Sequence, residues 1–437
     1  MSTQSARWRA TARLLRRTGF GTTGPQVDAL QGQDVGTYLD GLLGSDPEAD
    51  PGARATPMPD YPDVPQYPGE KADSAAKDAW NQLVDGQMAD LTRWWLGRMV
   101  AVQQPIHEKL TLLWHNHFAT SALKTRFACY MSAQNRTLRS LKLGDFHTLA
   151  YAMLTDAAML SWLDGHDNVA GSPNENLSRE FMELFALGHG NGYSEADVRE
   201  GARALTGWTN DLRGGTRLRD EKHDAGIKTV LGATGPLDAA GFCDAVLNHP
   251  NSGRYVASRL WRQLASDTPP GDDTLARLVT AYGNGRDLKA LTKAILTDPA
   301  FDSGSAITMP AEWLIGVMRT LKVPVDSAET AYAVDGALTG LGQKPFYPPD
   351  VAGWPQGRVW VSTASTSAQV WAAGELAKRG DLSVIESAAP GDRVDAAGYL
   401  IGVGAWSDRS ASALRAFAKN PQQLFTAAVN TPEYLTA

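Results

Sequence analysis

Two histidines one residue apart, in Trp114-His115-Asn116-His117-Phe118, carry the densest chemistry of this sequence. Farther along come Asn174-Glu175-Asn176, Glu180, Glu183 and then His223-Asp224. Imidazoles and carboxylates gathered in this way hold a divalent metal ion or move protons. The same side chains also serve as hydrogen-bonded struts in a helical core, where buried polar groups must find partners. Residue types alone leave both readings open.

The elements that must position these groups read as helices. On a helix over 108–118, at about 100° per residue, His117 falls among Leu110, Leu113 and Trp114 on the apolar stripe. His115 then points about 160° away, so an undistorted helix turns the two imidazoles apart. His117 is the inward residue; His115 is a ligand or the neighbour of one only where the backbone bends near Asn116.

A second helix is expected over 174–187, started by Ser172-Pro173-Asn174-Glu175 as a capping box with proline at the first helical position. Gly188 stops it. Leu177, Phe181, Leu184 and Phe185 form its core stripe, and Asn176, Glu180 and Glu183 share the adjacent one. Two carboxylates three residues apart repel unless a cation or a proton lies between them. The structural alternative for Glu180 and Glu183 is a solvated face, or ion pairs with Arg199 or Arg203. Glu175 sits one turn before Arg179, the spacing of a capping acid with an i, i+4 ion pair. His223-Asp224 falls in a looped excursion, where it would reach over the helices like a lid. Gly207-Trp208 and Gly353-Trp354-Pro355 offer aromatic walls for a ligand such as a sugar ring.

Composition bounds these readings. With 437 residues, 43% of them hydrophobic, the chain can bury a substantial core. A net charge of -7 supplies no overall attraction to nucleic acid or an anionic membrane. No stretch reaches the roughly 18 apolar residues that a membrane span needs, and no apolar export segment follows the basic start, so a cytoplasmic location is expected. Two cysteines, Cys129 and Cys243, are too few for a disulfide framework, although one bridge remains possible. Phosphate loops, nucleophile elbows, dinucleotide fingerprints and the His-Glu-x-x-His metalloprotease motif are all missing.

Along the chain, a mainly α single domain is expected across residues 1–437. It comprises N-terminal helices over 6–45, a proline-rich strap over 45–70 that excludes regular helix, and a helical core over 73–342. Within that core, strand-like pieces at 216–219 and 228–231 flank Asp224-Ala225-Gly226 as a hairpin excursion. An ordered Pro/Gly/Trp loop over 343–365 and C-terminal helices over 366–437 complete the chain. The echo between Leu154-Thr155-Asp156 and Leu296-Thr297-Asp298 reads as a repeated helix corner rather than a solenoid.

Several of these segments, taken in order, resemble an uncharacterised bacterial family known as domain of unknown function 1800. The resemblance rests on His107-Glu108-Lys109 with Trp114–Phe118, on Pro173–Asn176 with Arg179–Phe185, and on Ala204–Trp208. It closes with His223–Lys228 and Pro348–Pro355, and it spans nearly the whole chain. It implies no activity. It does imply, as a partner, a co-encoded protein similar to sulfatases and alkaline phosphatases.

Two functions follow as expectations. The first is a metal-dependent hydrolase in which His115, His117, Glu180 and Glu183 hold a divalent ion and Glu180, His223 and Asp224 do the chemistry. Asn174, Asn176, Trp208 and Trp354 would then contact substrate. The second is a non-enzymatic helical partner or assembly factor whose polar cluster is structural and whose aromatic loop at 346–360 is the contact surface.

Overall fold

Aspartates placed one residue before apolar runs set many of the helix boundaries. Asp34, Asp73, Asp145, Asp156, Asp238 and Asp287 each accept the backbone N–H three residues on, satisfying one of the free donors of the first turn. Ser194 and Asp197 close the reciprocal capping box of the helix Glu195–Ala204. The computed structural model describes residues 3–436, and among them are twenty-four α-helices and two small two-stranded antiparallel sheets. The fold is mainly α. No helix among the described residues is long and apolar enough to cross a membrane.

The helix Ile106–His117 organises the packing, because all twelve of its residues are buried. Ile106, Leu110, Leu113 and Trp114 face one hydrophobic core, shared with Phe118, Phe146, Phe181 and Phe185. Leu112 faces a second core built on Trp95, Trp313 and Phe346. Burial on every side follows from the long helix Ser74–Ala101 and the 343–365 loop covering the face that an amphipathic reading leaves outward. Its charged residues are therefore neutralised internally. Glu108, 1% exposed, accepts from Arg98 at 2.8 Å, from Trp95 Nε1 at 2.9 Å and from Arg139. Lys109 donates to Glu312 at 2.9 Å and to the Gly19 carbonyl at 3.1 Å.

Three local expectations are corrected. The strap contains the 3-10 turn Pro47–Ala49 and the helix Pro51–Ala55, because each proline occupies a first helical position where no N–H is needed. The strand at Thr216–Leu218 pairs with Trp208–Asn210, and Lys228–Val230 pairs with Ala233–Gly235. Asp224-Ala225-Gly226 thus joins two hairpins instead of turning one. The segment after Pro173 is α-helical only over Asn176–Glu180 and continues as a π-helix over Phe181–Ala186 before Gly188. Phe181, Met182, Phe185, Ala186 and Leu187 are all buried along this wider turn.

The chain ends are tied down together. Arg16 donates to the carbonyls of Gly402 and Glu433, and Trp313 Nε1 donates to the Val429 carbonyl at 2.9 Å. Cys129 and Cys243 are both buried, free thiols.

Candidate functional site

The end of the central helix is a clamp. His115 Nε2 accepts the Phe346 N–H at 3.0 Å, and its ring lies against Trp95, Phe346 and Trp354. Asn116 Oδ1 accepts the Trp354 N–H at 2.7 Å, in an approach so close that a Cβ on Gly353 would lie 2.4 Å from Asn116. Gly353 has φ +83°, so the loop takes glycine there for two separate reasons. His117 Nε2 donates to the Phe185 carbonyl at 2.9 Å, satisfying one of the free acceptors where the π-helix ends. Burial lowers both imidazoles to about 3, with the Arg259 charge adding to the effect at His117, so each ring is neutral near pH 7.

The carboxylates of the following segment lie on its outer side. Asn174 Oδ1 accepts the Asn176 N–H at 3.0 Å and starts the helix, while Asn176 itself is exposed. Arg179 bridges Glu175 at 2.8 Å and Glu195 at 2.7 Å. Glu180 and Glu183 are half-buried, and neither meets Arg199 or Arg203. Burial raises the Glu180 carboxyl, and the charges of Glu183 and then Asp350 push it further in the same direction. Glu183 pairs with the exposed His189, a residue not singled out from the sequence.

His223 and Asp224 serve the corner that follows. His223 Nδ1 donates to the Thr206 carbonyl at 2.9 Å, and the Asp224 N–H donates to the Thr206 hydroxyl at 2.8 Å. The Asp224 carboxylate is held by Arg203 at 2.8 Å, which keeps it below the usual carboxylate range. Lys228, 1% exposed, caps the carbonyls of Asp224 and Gly226. Trp208 is half-buried on its strand. Trp354 is 2% exposed, too deep to serve as a ligand wall or an interface anchor.

These positions do not converge. His115 and His117 are enclosed by apolar rings on opposite sides of one helix, Glu180 and Glu183 lie on an outer face, and Asp224 is spent on Arg203. Among the described residues, no group of three or more His, Cys, Asp or Glu side chains is placed to hold a metal ion. The four-residue ligand set expected from the sequence is not assembled in this geometry. The physical reason is the helical turn between the two histidines together with the burial of both.

A cleft that none of these residues lines lies elsewhere. A cleft of about 860 Å³ opens between the helix Val35–Gly44, the turn over 100–105 and the end of the helix Pro310–Leu321. Two residues that sequence patterning did not single out shape its floor. Asp50, in the strap, accepts the N–H groups of Gly52, Ala53, Gln103 and Gln104. Burial alone would raise its carboxyl, but these four donors outweigh it and hold the group below the ordinary range. Arg319 Nη1 is shared among the carbonyls of Met99, Val100 and Val102 at 2.7–3.0 Å, the free acceptors at the end of a 28-residue helix. Burial lowers the Arg319 guanidinium to about 10. Threonines and glutamines supply most of the remaining polar lining, and no Asp or Glu contributes.

No curated protein and no solved structure shows a significant match to this chain. A family model described as "Protein of unknown function (DUF1800)" matches residues 13–436, and the chain belongs to that family.

Proposed function

We propose that this chain works by binding a small polar ligand in the cleft beside Arg319, and that its histidine and asparagine motifs brace the fold. The carrying observation is the cleft itself. At about 860 Å³ it falls within the roughly 300–1,000 Å³ of small-molecule sites, and its lining combines apolar side chains with polar groups. Its walls come from separate stretches of chain, and Asp50 and Arg319 together pin the turn over 100–104, so that wall is set before a ligand arrives. The motif residues, by contrast, spend their polar atoms on one another and on backbone groups.

Gly41 gives the test. It lines the cleft on a helix, and a Cβ built there meets nothing within 4 Å. Gly41→Trp therefore fills the space without disturbing the core, and it removes a poor helix former. A library of polar small molecules is screened by thermal unfolding against both proteins. A compound that stabilises the native chain, and not Gly41→Trp, supports the reading; a library in which no compound discriminates the two sinks it.

A second reading has one observation in its favour. Burial and then the charge of Glu183 raise the Glu180 carboxyl, a divalent cation relieves repulsion of that second kind, and hydrolysis is the default chemistry of such a pair. Elemental analysis of protein purified without added metal decides it, with Glu180→Ala/Glu183→Ala and His117→Ala alongside. Stoichiometric metal lost in the double variant, and kept in His117→Ala, supports a carboxylate-held ion. Substoichiometric metal that is the same in every protein removes it.

A further inference from the structure

We infer that the cleft selects an anionic group, a carboxylate, phosphate or sulfate, through the free edge of Arg319; this rests on the cleft being the ligand site. Arg319 is mostly buried, yet among the described residues it forms no salt bridge. All three of its hydrogen bonds leave from Nη1. Its Nε and Nη2 donors have no partner within the protein, and neither is sealed from solvent. Those two atoms form the planar fork that grips a carboxylate or phosphate with two parallel bonds.

The surroundings point the same way. Asp50 is the charge that favours the Arg319 cation, but its oxygens already accept four backbone N–H groups. No lining residue carries negative charge, and the other lining cation, Lys322, is committed to Asp381 at 2.8 Å. An incoming anion therefore meets a guanidinium with two unused donors and no carboxylate among the lining residues. Gln33, Gln103 and Gln104 line the same space and suit the uncharged polar part of such a ligand. A largely buried guanidinium that forms no salt bridge carries a desolvation cost, and a bound anion offsets part of it.

The experiment titrates inorganic phosphate, sulfate and citrate, each at constant ionic strength, by calorimetry and by thermal unfolding of the full chain. Saturable binding of at least one is expected, weakened tenfold or more in Arg319→Gln and abolished in Gly41→Trp. The order of affinities among the three identifies the anion chemistry. Arg319→Gln also releases the brace on the Met99, Val100 and Val102 carbonyls, so Gly41→Trp, which leaves Arg319 untouched, carries the decision. Anion binding that persists in Gly41→Trp overturns the inference, as does its complete absence in the native chain. Should uncharged compounds bind in a way that Gly41→Trp blocks while all three anions fail, the anion inference falls and the cleft reading stands. If nothing binds in a way that Gly41→Trp blocks, both fall.

Discussion

His115 and His117 sit two residues apart on one helix, and their Nε2 atoms play opposite roles. The first accepts the Phe346 N–H at 3.0 Å, and the second donates to the Phe185 carbonyl at 2.9 Å. A backbone N–H cannot accept and a carbonyl cannot donate, so neutral His115 carries its proton on Nδ1 and neutral His117 carries it on Nε2. One turn of helix thereby fixes the aromatic loop on one side and the π-helix on the other.

Long-range proton–nitrogen correlation spectra at pH 7 should show those two tautomers. Both rings should keep their shifts down to about pH 4, since burial lowers each to about 3. The same tautomer at both positions, or titration near the ordinary pKa of 6.5, would remove the clamp.

Acid should destabilise the fold below pH 6.5, above the range in which ordinary carboxylates titrate. His107 is lowered to about 4, and His115 and His117 to about 3, all from 6.5. Below pH 6.5 the unfolded chain binds three protons that the folded chain refuses, so these groups make stability fall as pH falls. Asp156 acts in reverse: burial raises it from 3.8 to about 6, so between those values the folded chain holds one proton more. The net uptake on unfolding near pH 5.5 is about two protons, a slope of about 2.7 kcal/mol per pH unit. Urea melts between pH 5 and 6 measure it. His117→Gln should lower the slope by about one proton, and Asp156→Asn should raise it by about one. A flat profile in all three proteins would contradict the burial of these groups.

Glu108→Gln tests the charge balance of the buried helix. The carboxylate sits between Arg98 and Arg139, and removing its charge leaves Arg139 out of water without its counter-ion and Arg98 with the exposed Glu48 alone. The expected loss is about 3–5 kcal/mol in chemical denaturation at pH 7. A loss under about 1 kcal/mol would mean that water reaches the cluster.

Local features of this architecture are legible in the sequence, and contacts across it are not. The Glu175–Arg179 pair is read directly, because its residues lie within four positions of one another. Helical periodicity also places His117 inward and turns His115 away from it. It does not reveal that His115 is buried as well, because the covering loop arrives from 231 residues downstream. The π-helix escapes periodicity for a related reason: the extra residue per turn is selected by what Phe181, Met182 and Phe185 pack against. Arg319 reads as an ordinary basic residue in a last helical turn. Its role depends on carbonyls more than 200 residues earlier and on a strap whose prolines argue against regular helix.

That strap supplies the last prediction. Asp50 uses one oxygen on Gly52 and Ala53 and the other on Gln103 and Gln104, so its two oxygens join the strap to the cleft floor. An asparagine at this position would keep a single acceptor oxygen, and its NH₂ would face N–H groups, so Asp50→Asn breaks one half of the junction. A lost hydrogen-bond set on a charged acceptor is worth about 1.5–3 kcal/mol. The folded carboxyl lies below its unfolded value of 3.8, so its contribution is present above that pH and disappears as pH falls through the folded value. The variant should therefore differ most from the native chain at neutral pH and converge with it in strong acid. Amide hydrogen exchange at Gln103 and Gln104 reads the junction directly. Both amides should exchange faster in Asp50→Asn, while those of the central helix Ile106–His117 keep their rates. Unchanged protection at Gln103 and Gln104 would show that the cleft floor is held by Arg319 alone, and ligand affinity would then be indifferent to the strap.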